Sequence, residues 1–208
     1  MPYWHYCTLC FFLILLCIFG CGGAEDTYSA DEDSSENLVG TWELITIDGE
    51  TPKADAQNNL KSEETEVLAL ATKMVLASDG ALFQDALLTV QTLIEASPNS
   101  IYIKSQIRQT VEGRYVVSGS TIELIRSGDD VRITTHTSWK TPGNPELKQQ
   151  LEQDPDSEEF RQGFEAGLKD ELQKNADNWA LQLSTNTFDL EADLLTLING
   201  SERVFKKR

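Results

Sequence analysis

From Leu38 onward the chain alternates apolar and polar positions in short segments separated by turn residues. "TWELITI" (41–47) alternates and stops at Asp48-Gly49. "MVLASDGALF" (74–83) reads as two strands around Ser78-Asp79-Gly80. "IYIKSQIRQT" (101–110) sets Ile101, Ile103 and Ile107 against Tyr102, Lys104 and Arg108. "RYVVSGSTIELIRSGDDVRITTHTSW" predicts three strands, with breaks at Ser118-Gly119 and Ser127-Gly128-Asp129. "TFDLEADLLTLINGSERVFKK" predicts three more, turning near Ala192 and at Asn199-Gly200. Many short strands with one apolar face predict an all-β antiparallel sandwich or barrel. Charges at alternate positions, such as Glu123 and Arg126, argue against a lipid-facing barrel exterior.

Two stretches depart from this rhythm. Residues 62–77 fit either period, since Val67, Leu68, Ala71, Met74 and Val75 also have helical spacing; the second half is read as strand. Residues 144–176 predict an amphipathic helical insertion. Asn144-Pro145 and Asp154-Pro155 each look like a cap followed by proline at the first helical position. Leu147 and Leu151, then Phe160, Phe164, Leu168 and Leu172, recur every four residues as one apolar stripe. Such a stripe most simply packs on the barrel or closes one end of it, and the sharper alternative is a helix that meets a partner. A weak internal repeat matches Tyr115, Gly119, Ile122 and Leu124 to Phe188, Ala192, Leu195 and Leu197, the same hairpin used twice.

The N-terminus has a different texture. Residues 9–20, "LCFFLILLCIFG", are apolar and uncharged. They are too few for a span, which needs about 20 residues, but fit the core of a secretory signal peptide. Ile18-Phe19-Gly20-Cys21 resembles the bacterial lipobox. That resemblance implies a cut between Gly20 and Cys21 and a diacylglycerol on the Cys21 thiol, hence a chain anchored to the membrane through lipid. The departure is "MPYWHY", which lacks the usual starting Lys or Arg. The bland alternative is an apolar core segment ending in an ordinary cysteine. The four cysteines (Cys7, Cys10, Cys17, Cys21) all lie in or at this segment, so the mature protein keeps no thiol for a disulfide, a metal or catalysis. Gly22, in place of an aspartate after the anchor, favours the outer membrane of the cell envelope in the resemblance.

Removing residues 1–20 leaves 188, enough for one domain, and takes away no charged side chain. The formal charge of −17 therefore belongs to the mature part and excludes nucleic-acid binding. Residues 21–37 combine the anchored cysteine with "GGAEDTYSADEDSSEN", which has six acidic residues and no basic one, and read as a self-repelling tether. The folded domain is predicted over 38–208.

"LVGTWELITIDG" resembles the opening of the lipocalins and fatty-acid-binding proteins, the calycin superfamily. It is more similar still to the lipocalin-like domains of bacterial lipoproteins, which share hairpins of the "GRYVVSGSTIELI" type and a basic last strand such as "SERVFKKR". The resemblance covers residues 38–140 and 178–208 and implies a calycin barrel of about eight to ten strands. It implies that Trp42 plugs the closed end and that a last-strand arginine, Arg203 or alternatively Arg208, covers its face. A cation there is worth roughly 0.5–2 kcal/mol. The fatty-acid-binding proteins carry Arg-x-Tyr on that strand for the ligand carboxylate. Here Arg203-Val204-Phe205 keeps the arginine and loses the hydroxyl, which weighs toward a structural role for Arg203.

Candidate chemistry is sparse. His136 is the one histidine of the mature chain, so neither a zinc site nor a triad finds support. No phosphate loop or dinucleotide motif occurs. Asp154, Asp156, Glu158 and Glu165 match calcium-loop positions, but Glu159 stands where the loop needs glycine. The expectation is a protein without cofactor or catalysis: a membrane-anchored lipoprotein holding a small apolar ligand in its barrel. The alternative is a closed-barrel interaction protein using residues 144–176, with its protein partner unspecified.

Overall fold

The alternating segments close on themselves. The computed structural model describes residues 37–60, 62–95, 100–174 and 185–208. Its strands are β1 (Gly40–Ile47), β2 (Thr65–Leu76), β3 (Ala81–Glu95), β4 (Ile101–Ser118), β5 (Thr121–Lys140), β6 (Thr185–Glu191), β7 (Leu194–Ile198) and β8 (Glu202–Lys207). Each pairs antiparallel with the next, and β8 returns to β1, giving a closed eight-stranded barrel. Helix α1 (Pro52–Leu60) joins β1 to β2; α2 (Pro145–Gln153) and α3 (Pro155–Lys174) lie between β5 and β6. The expected signal segment, Cys21 and the expected tether as far as residue 36 lie outside the described residues.

Strand length divides the barrel into two halves. Strands β2 to β5 run 12, 15, 18 and 20 residues, whereas β1, β6, β7 and β8 run 8, 7, 5 and 6. The short strands reach only part of the way up the tall ones. Thus β1 pairs with β2 only from Gly40–Glu43 to Lys73–Leu76, and β5 meets β6 only from Thr121–Glu123 to Thr185–Thr187. Below those contacts lies a closed floor; above them two seams open, one beside β2 and one beside β5.

Each seam is met by a helix whose side chains take over strand backbone groups. At the β2 seam, Val67 N–H donates to Gln57 Oε1 of α1 at 2.6 Å, and Gln57 Nε2 donates to Thr65 O at 3.5 Å. At the β5 seam, Thr137 N–H donates to Glu165 Oε2 of α3 at 3.1 Å, and Arg161 donates to Thr137 O at 2.8 Å. The helices start alike. Thr51, Asn144 and Asp154 each accept from a backbone N–H three residues on, and each is followed by a proline at the first helical position.

The core follows the same division. The floor cluster joins Leu38, Trp42, Leu76, Leu82, Ile122, Leu195 and Phe205. The repeated hairpins lie here in matching register, Tyr115 opposite Leu124 and Phe188 opposite Leu197. The upper cluster packs Ala56 and Leu60 of α1 and Phe164, Leu168 and Leu172 of α3 against inward side chains of β2 to β5, such as Val90, Ile107 and Ile133. The apolar stripe of α3 therefore faces the barrel.

Three expectations change. Residues 101–118 form one strand through Val111-Glu112-Gly113 rather than two. Ser127-Gly128-Asp129 is not a turn: β5 continues through it, and five steps from Arg126 to Val131 face two from Val111 to Gly113 on β4. An irregularity in the pairing takes up the extra residues, because β4 runs on unbroken beside it. Residues from Thr65 onward are strand throughout, so tertiary pairing overrides their helical spacing.

Candidate ligand site in the barrel interior

Strand β8 carries three inward side chains, because its faces alternate. Lys207 lies opposite Trp42, Phe205 opposite Leu44, and Arg203 opposite Ile47. This ladder runs from floor to upper half, and four residues of strand place Arg203 about 13 Å above Lys207.

Trp42 is fully buried at the floor, and its indole N–H donates to Leu38 O at 2.8 Å. The cation over its ring is Lys207, whose Nζ lies 5.3 Å from the ring centroid and donates to Asn37 O at 2.9 Å. This corrects the expectation for Arg203 and for Arg208. Register puts Arg203 too far up the strand, while the Arg208 guanidinium turns to Glu43. Gly40 has φ +151°, and a Cβ there would lie 2.7 Å from Lys207 Cε. The G-x-W spacing thus makes room for the lysine stem that crosses to the tryptophan.

Phe205 is buried in the floor cluster as plain apolar packing. Arg203 has a different setting. Its pKa is lowered by burial, and the charges of Asp48 and Asp55 offset this only in part. Asp48 and Asp55 act on it through space, and it forms no hydrogen bond or ion pair among the described residues. Asp55, on α1, has its carboxyl pushed up mainly by desolvation. Its Oδ1 accepts from Asn59 Nδ2 at 3.1 Å, while its Oδ2 is buried with no partner. A cation held in the interior with its donors uncommitted is a ready anion receptor.

A second set of polar groups in the upper interior gathers under α3. Thr137 is 2% exposed; its hydroxyl donates to Glu165 at 2.6 Å and accepts from Arg161 at 2.7 Å. Arg161 is also held by Glu158 and Glu165 of its own helix. Glu158 falls to about 2 because of the Arg161 hydrogen bond. Burial would raise Glu165, but Thr137 and Arg161 outweigh it and leave the group below its ordinary value. Trp139 stacks on Phe160 at 6.2 Å with 17° between planes.

The acidic residues of the calcium-loop match have structural employment: Asp154 caps α3, Glu158 pairs with Arg161, and Glu165 joins the helix to β5. Among the described residues, no group of three His, Cys, Asp or Glu side chains comes together to hold a metal. His136 is exposed on β5. No helix among the described residues is long and apolar enough to cross a membrane.

Sequence reasoning missed α1, and with it Asp55 and Gln57. Thr51-Pro52 repeats the cap-and-proline signal of the other two helices and was the sign available. It missed Lys207 because the opposing residue depends on register, which the pattern of one strand does not contain. No protein-family model matches the chain, and no curated protein matches it.

Proposed function

We propose that this chain is a lipid-anchored protein of the bacterial cell envelope whose lipocalin-like barrel holds a small apolar molecule, with an anionic end directed to Arg203. The observation that carries the reading is Arg203 itself: turned inward, partly buried, and without a hydrogen-bonding partner among the described residues. The structural role of covering Trp42 belongs to Lys207, so that role does not account for the arginine. A cation whose burial Asp48 and Asp55 offset only in part costs stability, and a carboxylate in hydrogen-bond contact would relieve that cost. The lipid on Cys21 is the anchor in this reading. The tether joins the domain at Leu38, on the floor, so the end bearing α1, α3 and Arg203 is opposite the attachment point.

The other reading, an envelope interaction protein meeting a partner through residues 144–176, loses its principal feature. Leu168 and Leu172 are 7% and 2% exposed and pack inside the barrel.

Two experiments test the proposal. Arg203→Leu should weaken decanoate binding at least tenfold while the urea midpoint of the empty protein holds or rises; a fall of about 1–3 kcal/mol with decanoate binding unchanged would make Arg203 structural. Cys21→Ser should move the chain from the membrane to the soluble fraction or leave the precursor uncut. Membrane association that survives the change would remove the lipid anchor from the proposal.

A further inference from the structure

Besides Asp55 Oδ2, two buried polar atoms of the upper interior have no protein partner among the described residues. Ser105 is 0% exposed and Trp139 is 5% exposed, yet Ser105 Oγ and Trp139 Nε1 are buried with nothing to bond. In the β4–β5 register Ser105 is opposite Thr137 and Trp139 is opposite Ile103. Both therefore point inward from adjacent strands, on diagonal positions about 7–8 Å apart.

The neighbouring polar groups are already committed. The Thr137 hydroxyl is used by Glu165 and Arg161, and the Arg161 guanidinium is used by Glu158, Glu165 and Thr137. The Phe160 stack fixes the plane of the Trp139 ring, so its N–H cannot swing to solvent without breaking that contact. Indole nitrogen can only donate, and the serine hydroxyl donates as well. What is missing is an acceptor. Buried donors are almost always answered, and when the protein does not answer them a water or a ligand does.

We infer that Ser105 and Trp139 are a second polar anchor of the barrel interior, built for an uncharged hydrogen-bond acceptor (a ketone, ester or ether oxygen) on an apolar molecule held inside the barrel. The acceptor is neutral because both donors are neutral and Glu165 stands close by, on the Thr137 that faces Ser105. Arg203, on the short-strand side, takes the anionic end; Ser105 and Trp139, on the tall-strand side, take the neutral oxygen. The inference rests on the reading of the barrel as a container for an apolar ligand.

The test uses the full chain and two ten-carbon probes, 2-decanone and decanoate, followed by isothermal titration. Ser105→Ala and Trp139→Phe should each weaken 2-decanone about threefold to tenfold, and weaken it more than they weaken decanoate. The phenylalanine keeps a ring to stack on Phe160 and removes only the N–H; if that variant does not fold, Ser105→Ala decides alone. If 2-decanone binds both variants as it binds the parent, or fails to bind while decanoate binds through Arg203, the second anchor is overturned and the Arg203 reading stands. In that outcome the two donors serve only an ordered water. If neither probe binds, both readings fall together.

Discussion

Replacing Glu165 by alanine tests whether a helix side chain can stand in for a missing strand. Glu165 Oε2 accepts from Thr137 N–H at 3.1 Å, from the Thr137 hydroxyl at 2.6 Å and from Arg161 at 3.1 Å. Removing it leaves a buried backbone donor unanswered, at a cost of about 1–3 kcal/mol. The hydroxyl can rotate, and Arg161 keeps Glu158 and the Thr137 carbonyl, so those losses add little. Alanine is the better helix former, which returns a few tenths of a kcal/mol. The net expectation is a loss of about 2 kcal/mol, or roughly 4–8 °C in Tm for a domain of this size. Urea unfolding gives the free energy, and amide exchange at Thr137 reports the site. Exchange at Thr137 should accelerate while Trp42 at the floor stays protected. A loss under about 0.5 kcal/mol with Thr137 exchange unchanged would refute the seam argument, since some other group would then be holding that edge. Glu165→Gln, which keeps an acceptor for the amide, should fall between the parent and the alanine variant.

The floor and the acid limit give two further tests. Lys207→Met should keep the stem beside Gly40 but remove the charge over Trp42, lowering stability by about 0.5–2 kcal/mol and shifting tryptophan emission, whereas Arg203→Leu should leave that emission alone. Glu158, Glu165 and Asp85 all have depressed folded-state pKa values, so their contribution is complete above the ordinary carboxylate range near 4 and is lost as pH falls through the folded values, in the case of Glu158 down to about 2. An acid titration followed by circular dichroism should therefore show loss of stability beginning below about pH 4, and stability that increases on acidification from pH 5 to 3 would contradict it.

Much of the fold is legible because most of its signals are local. Asp48-Gly49 ends β1 with φ of 48° and 80°, and Ala192 and Gly200 turn the chain at φ 52° and 70°, where the breaks in alternation predict them. The proline-led helix starts at Asn144 and Asp154 are equally local. What escaped notice is relational. Ser127-Gly128-Asp129 has turn composition, but a neighbouring strand that pairs on both sides of it keeps the chain extended. Helix α1 has almost no apolar stripe, since only Pro52, Ala56 and Leu60 are buried, so its pattern is faint although its start is not. Trp42 was identifiable as a floor residue; its cation was not, because Lys207, Arg203 and Arg208 differ only in which rung of β1 they face. Ser105 and Trp139 look like ordinary members of alternating strands, and only burial on adjacent strands singles them out.

The unequal strands explain why helices belong to this barrel. A sheet of eight equal strands satisfies its edges by closure alone, but here β2 and β5 rise past their short neighbours, and among the described residues their upper edges face no strand. An exposed edge of that kind invites pairing with another chain. Gln57 and Glu165 instead deliver an acceptor to a strand N–H, at Val67 and Thr137, while Gln57 and Arg161 deliver donors to Thr65 and Thr137 carbonyls. The same helices bring Leu60, Leu168 and Leu172 over the inner face that closure has failed to cover. Edge satisfaction and burial are thus coupled through a few side chains. A helix loosened at its polar contact must also expose part of the upper core, and with it the interior where Arg203, Ser105 and Trp139 lie. In the proposed container, access for a ligand and stability of the seam are therefore one equilibrium. Glu165→Ala should raise the rate of decanoate binding as it lowers stability; a variant that loses stability with an unchanged association rate would uncouple the seam from access.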